Sequence, residues 1–163
     1  MAGRAKTSKT SAGILLYRRR TSGVEVFLAH PGGPFWARKD DGAWSLPKGE
    51  YDSEEDPLMA ARREFTEETG LTLQGPFRTL GPLKQPGGKT IMAYAVEGDA
   101  DAASIVSNTF TLEWPPRSGK LRRFPEIDRA GWFELEAARE KLLPGQRPFL
   151  DRLKESVTEW ARG

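Results

Sequence analysis

Residues 49–71 read GEYDSEEDPLMAARREFTEETGL, which parses as a loop, a helix and a stop. Glu55 or Asp56 can cap a helix, Pro57 suits its first turn, and Gly70 suits a left-handed exit. The predicted helix runs over residues 56–69. Leu58, Ala61 and Phe65 recur at helical spacing as a buried stripe. Glu64, Glu67 and Glu68 lie three and four residues apart on an adjoining face, so three carboxylates converge on one patch.

A solvated acidic face is the ordinary explanation of such a cluster. Against it, Glu64 and Glu68 form a like-charge i,i+4 pair, which costs roughly 0.2–0.5 kcal/mol, and Glu67 adds to the repulsion. Arg63 neutralises only part of this. A hard divalent cation, Mg²⁺ or Mn²⁺, prefers oxygen ligands and bridges to phosphate oxygens, and would turn the repulsion into coordination.

The spacing G-x5-E-x7-R-E-(apolar)-x-E-E-x-G-(apolar), carried by Gly49, Glu55, Arg63, Glu64, Phe65, Glu67, Glu68, Gly70 and Leu71, resembles the Nudix box at every position. At about one in fifteen per fixed position, chance agreement is on the order of 10⁻⁸ per start site. The box covers 23 of 163 residues. The resemblance implies an α/β fold, a three-layer α/β/α sandwich with a mixed sheet, in which the box forms a loop-helix-loop.

Upstream of the box, residues 1–9 are polar and basic and are expected to be disordered, leaving residues 10–163 as one domain. The run from Thr10 reads as a strand, and VEVFLAH after a turn at Thr21–Gly23 reads as its partner, so two strands are expected before the helix. The segment 30–49 is rich in turn formers yet holds Phe35, Trp36 and Trp44 with Arg38 and Lys39. Those aromatics serve either as core packing, since Trp44 and Leu46 alternate like a strand, or as a platform where a base stacks while cations hold phosphates. His30, the one histidine, ends a strand beside Pro31 and reads as a hydrogen-bonding residue of the fold rather than a base.

Downstream, residues 77–98 read as two strands around a turn at Pro86–Gly88, and SNTFTLEWPP as a further extended piece, giving a sheet of five or six strands. Residues 117–123 read as a basic loop leading to a strand at Trp132 and Phe133. Helices are expected near residues 136–142 and 147–162, the last made amphipathic by Leu150, Leu153, Val157 and Trp160. The hairpins favour a mixed sheet with helices on both faces over a doubly wound one.

Composition narrows the class further. The chain has no cysteine, which excludes a disulfide framework, thiolate zinc and a cysteine nucleophile and is compatible with the cytoplasm. No apolar run approaches the roughly 20 residues of a membrane span, and the first residues lack a secretory apolar core. A soluble cytoplasmic protein is expected. The net charge is only +2, and although cations gather at 4–9, 18–20 and 117–123, no stripe with interleaved aromatics is visible. A small phosphate-bearing ligand is therefore expected rather than nucleic acid.

The resemblance implies a hydrolase that cleaves a diphosphate linkage in a nucleotide with the help of Mg²⁺ or Mn²⁺. Carried over position by position, it makes Glu64, Glu67, Glu68 and the carbonyl of Gly49 metal ligands, Arg63 the group that orients the carboxylates, and Glu55 a brace for the loop. The general base in such enzymes is a box glutamate or one from a distant loop. Glu126 is the outside candidate, with Glu113 behind it. The lead-in WSLPKG, residues 44–49, is similar to that of members acting on diadenosine polyphosphates and nucleoside triphosphates, and puts Lys48 on a phosphate. ADP-ribose or nucleotide-sugar hydrolysis, an RNA-end hydrolase and a non-catalytic nucleotide sensor are the alternatives. A monomer and a homodimer both fit.

Overall fold

A computed structural model describes residues 10–162; the segment 1–9 expected to be disordered lies outside the described residues. β1 (Thr10–Arg20) and β2 (Gly23–Pro31) form the expected hairpin, antiparallel from Tyr17↔Val26 to Arg20↔Gly23. β3 (Lys48–Glu50) follows, so three strands precede the first helix, one more than the sequence indicated. It was hidden because three residues flanked by Pro47 and a turn carry no alternation to read. β2 leaves β1 after Tyr17, and the chain at 44–50 fills the gap: Ser45 bridges to Ala29, the Ile14 N–H donates to the Pro47 carbonyl, and β3 pairs antiparallel with residues 11–13.

α1 (Pro57–Thr69) fills the predicted helix. Asp56 is the cap, its carboxylate accepting the Met59 N–H at 3.0 Å, and Gly70 ends the helix at φ 76°. Ala60, Ala61, Phe65 and Thr69 form the buried stripe, with Leu58 only half-buried. β4 (Arg78–Lys84) and β5 (Thr90–Glu97) make the second hairpin, and β5 runs parallel to β1 from Thr10↔Thr90 to Tyr17↔Glu97. β6 (Thr109–Glu113) and β7 (Leu121–Pro125) pair with each other as a separate two-stranded ribbon. Thus the extended piece around Phe110 does not join the main sheet, and much of the basic "loop" is the returning strand of that ribbon. β8 (Ile127–Glu134) pairs with β2, followed by α2 (Leu135–Lys141) and α3 (Pro148–Arg162).

The main sheet has six strands, in the order β4-β5-β1-β2-β8 with β3 on β1, and it is mixed. Alternation along β1 divides the core into two layers. Ala12, Ile14 and Leu16 face Ala60, Ala61 and Phe65 of α1, while Leu15 and Tyr17 face Phe149, Leu150, Leu153 and Val157 of α3. The helices therefore cover both faces, as a three-layer sandwich requires. Among the described residues no helix is long and apolar enough to cross a membrane.

Candidate active site

An open cleft of about 480 Å³ lies between β3, the C-terminal half of α1 and the root of the ribbon. Among the described residues its lining is Ser11, Lys48, Gly49, Glu50, Glu64, Glu67, Glu68, Lys89, Asn108 and Glu126, with no aromatic and no aliphatic side chain. The fold builds it from three decisions already in the sequence. Helical spacing projects Glu64, Glu67 and Glu68 from one side of α1, the capped start fixes where that helix begins, and the wedged β3 sets Gly49 against it.

Gly49 comes so close that a methyl group at its Cα would sit 2.0 Å from the carboxyl carbon of Glu64. Any larger residue there would displace the Glu64 carboxylate from its present place. Arg63 binds three carboxylates at once. Its Nε and Nη2 donate to Glu55 at 3.0 and 2.9 Å as a two-pronged pair, and its Nη1 donates to Glu64 at 2.9 Å and Glu67 at 3.3 Å. The fork geometry of guanidinium suits this, and a lysine would not reproduce it. Those contacts, the Glu55 bond foremost, raise the affinity of Arg63 for its proton still further.

Burial raises the proton affinity of the acids as well, which disfavours their charged form. Glu64 is pushed up by burial and by Glu67, with Arg63 opposing. Glu68 is pushed up to about 8 by burial, with Glu64 and Glu126 adding repulsion; the Lys48 N–H, 3.3 Å from its Oε1, and the Lys48 charge oppose this. Perturbed acids crowded in a polar cleft mark a place where positive charge is wanted.

The residues anticipated from sequence divide cleanly. Gly49, Glu64, Glu67, Glu68, Lys48 and Glu126 meet at the cleft, while Glu55 and Gly70 frame it through Arg63 and the helix stop. Trp36, Arg38, Lys39 and Trp44 do not line it. Trp44 is 5% exposed, packed edge-on against His30 and Phe133 on the α3 side of the sheet, and its indole N–H donates to Asp40. The platform reading of Trp44 is thereby corrected to core packing, because the strand-like alternation of Trp44 and Leu46 turns both inward. Trp36 is half-buried against the same core, Arg38 is exposed, and the Lys39 carbonyl is 2.6 Å from His30 Nε2. His30 is fully buried between that carbonyl and Asp128, so it ties loops together. Glu113 accepts the Gly119 N–H at the far end of the ribbon and has no place in the cleft.

Lys89, Asn108, Glu50 and Ser11 were missed. Parallel pairing of β5 with β1 starts at Thr10↔Thr90, which brings Lys89 beside the cleft, and that register is invisible in a linear chain.

Among the described residues no three His, Cys, Asp or Glu side chains form a ready metal cage, because Arg63 draws Glu64 and Glu67 to itself. The donor set nevertheless fits a hard divalent cation: several carboxylates, two of them forced toward neutrality, beside a glycine that lets the Glu64 carboxylate lie against its Cα.

Comparison with known proteins agrees with this geometry. Residues 7–153 match the NUDIX domain. The RNA pyrophosphohydrolase of Acidiphilium cryptum (strain JF-5) is 27% identical over 129 residues, covering 73% of this chain and 74% of that protein. Among solved structures, a C. elegans Ap4A hydrolase binary complex superposes with a TM-score of 0.61 at 19% identity, covering 91% of this chain and 98% of that one. The NUDIX domain of Shewanella oneidensis NrtR, cocrystallised with ADP ribose, superposes with a TM-score of 0.65 at 14% identity, covering 94% and 90%. Since the match begins before β1 and reaches into α3, the chain belongs to the NUDIX family and is a hydrolase of the Nudix type.

Proposed function

We propose that the cleft hydrolyses a phosphoanhydride in a nucleoside polyphosphate, with dinucleoside polyphosphates first and nucleoside triphosphates second. The observation that carries this is the lining itself: acids and two lysines, with no ring or apolar side chain among the described residues on which a base could rest. Such a surface recognises the phosphates and leaves the rest of the substrate outside.

In this reading Glu64, Glu67, Glu68 and the Gly49 carbonyl hold Mg²⁺ or Mn²⁺. The cation, when bound, screens the charge of the diphosphate and acidifies water. Arg63, fixed by Glu55, keeps two of the carboxylates from folding away. Lys48 and Lys89 sit across the cleft where they meet phosphate oxygens as charge builds in the transition state. Glu126 faces the same space and takes the proton of the attacking water. The P–O bond to the leaving phosphate breaks as the new one forms, and no covalent intermediate is needed.

A second reading, hydrolysis at the 5′ polyphosphate end of RNA, is favoured by the likeness to an RNA pyrophosphohydrolase. ADP-ribose hydrolysis draws on a fold likeness only.

Product release with Mg²⁺ across diadenosine tetraphosphate, ATP, ADP-ribose, a nucleotide sugar and triphosphate-ended RNA tests the proposal. A lead for diadenosine tetraphosphate is expected, with Glu67→Gln lowering kcat by on the order of 10²-fold or more at unchanged melting temperature. A lead for ADP-ribose would overturn the substrate while keeping the site. Equal turnover by Glu67→Gln and wild type would remove Glu67 from it.

A further inference from the structure

Among the described residues the β6–β7 ribbon pairs with no other strand, and its two ends are rooted on the cleft. Asn108 and Glu126, which flank it, both line the cleft, and the Glu126 N–H donates to the Asn108 carbonyl at 2.7 Å. At about 3.3 Å per residue, its five-residue strands run on the order of 16 Å from that root.

Its chemistry is lopsided. Arg117, Lys120, Arg122 and Arg123 are exposed, and none is ion-paired among the described residues, whereas the ribbon's single acid, Glu113, is engaged by the Gly119 N–H. Strand pairing sets one of these cations, Arg122, among rings, with Arg123 on the opposite face beside Thr111. Phe110 lies opposite Phe124 with ring centres 5.9 Å apart, Leu112 lies opposite Arg122, and the Arg122 guanidinium is 5.6 Å from the Phe124 ring. Phe110, Leu112 and Trp114 share that face by the period of two. Trp114 meets Phe35 edge-to-face at 5.3 Å, and Phe35 is 61% exposed. The stripe of cations and aromatics that the linear sequence lacks is thus assembled by the fold.

Cations alone would be explained as protection of a free strand edge against aggregation. The exposed Phe35 ring, held edge-on by half-buried Trp114, has the opposite effect beside them, and calls for a ligand with both charge and flat faces.

We propose that the ribbon, together with Phe35, is a binding arm for single-stranded nucleic acid. Bases stack on Phe35 and Trp114 while the four cations hold the backbone of a strand whose 5′ polyphosphate lies in the cleft. The arm rests on the second, RNA-end reading of the cleft, and where it operates it moves the lead in product release from diadenosine tetraphosphate to triphosphate-ended RNA.

Fluorescence anisotropy on the full chain carrying Glu67→Gln tests it, with a 5′-triphosphate decaribonucleotide and the same oligomer ending in a 5′-hydroxyl. Both oligomers bind if the arm exists, and log K falls with log[salt] by about 0.7 for each phosphate contacted. Arg122→Glu with Arg123→Glu weakens both at least tenfold and flattens the salt slope, and Phe35→Ala weakens both about fivefold or more. Arg117→Glu with Lys120→Glu repeats the charge test at the tip should the first pair disturb the ribbon, and circular dichroism checks each fold. Failure of the hydroxyl-ended oligomer to bind, or variants that bind like the parent, overturns the arm. So does equally tight, equally variant-sensitive binding of poly-glutamate, which would mark a docking surface for acidic protein. Silence of wild-type protein on every nucleotide, with oligomer binding intact, fails the cleft reading alone; turnover of small nucleotides without salt-dependent oligomer binding fails the arm alone.

Discussion

Glu68 sits where burial lifts its carboxyl to about 8, well above the ordinary carboxylate range. The folded chain therefore holds that proton more tightly than the unfolded chain does. Stability from this group is fully present below the unfolded value near 4.5 and is lost as pH climbs toward 8, because the fold then has to keep a buried charge. Without divalent cation, the melting temperature is expected to fall between pH 5.5 and 8.5, and Glu68→Gln should flatten that part of the profile. A cation that binds only the folded state restores the loss, and more so at high pH. Melting curves at both pH values, with and without Mg²⁺, check this. A wild-type profile as flat as that of Glu68→Gln would show that burial at Glu68 carries no such cost.

At the level of the element, α1 is both a core helix and the carrier of the acids. Asp56 accepts the Met59 N–H, and losing such a cap costs about 1 kcal/mol. Asp56→Ala is thus expected to lower the melting temperature by several degrees while kcat stays within a few-fold, since the acids lie two turns away. Thermal melts give the first number and steady-state kinetics the second. This helix was the most legible part of the chain: cap, proline, stripe, acids and glycine stop all follow from local spacing. The ribbon was the least legible. Leu121–Pro125 is three-fifths basic or proline, and only its register with Thr109–Glu113 makes it a strand. β3 was equally hidden, because its structure is imposed by the gap between β1 and β2 rather than by its own three residues. Arg63 and its acids could be read from the chain, whereas Lys89 and Asn108 reach the cleft through pairings between distant segments.

Across the whole molecule, the sheet separates an α1 layer that carries the acids from an α3 layer that carries Trp36 and Trp44, and the two are expected to answer mutation differently. Trp36→Ala removes half-buried ring area from the α3 layer alone, so a lower melting temperature with unchanged KM is the outcome; a raised KM would return Trp36 to the substrate. A buried polar contact on the α3 side fixes the approach to β3. Buried Gln146, just ahead of α3, accepts the Leu46 N–H at 3.1 Å and donates to the Ser45 hydroxyl at 3.0 Å. That places it at the start of the segment that runs on to Lys48 and Gly49. Gln146→Leu keeps much of the volume but strands a buried N–H, at a cost of about 1–3 kcal/mol. The Ser45–Ala29 bridge and the bond from the Ile14 N–H to the Pro47 carbonyl also hold the segment, so the resulting shift of β3 relative to α1 should be local and small. Reduced stability is then accompanied by a fall in kcat, although Gln146 lies outside the cleft lining. Gln146→Glu, which keeps the acceptor, should recover the rate in part, whereas a kcat unaffected by Gln146→Leu would show that packing alone holds β3 in place.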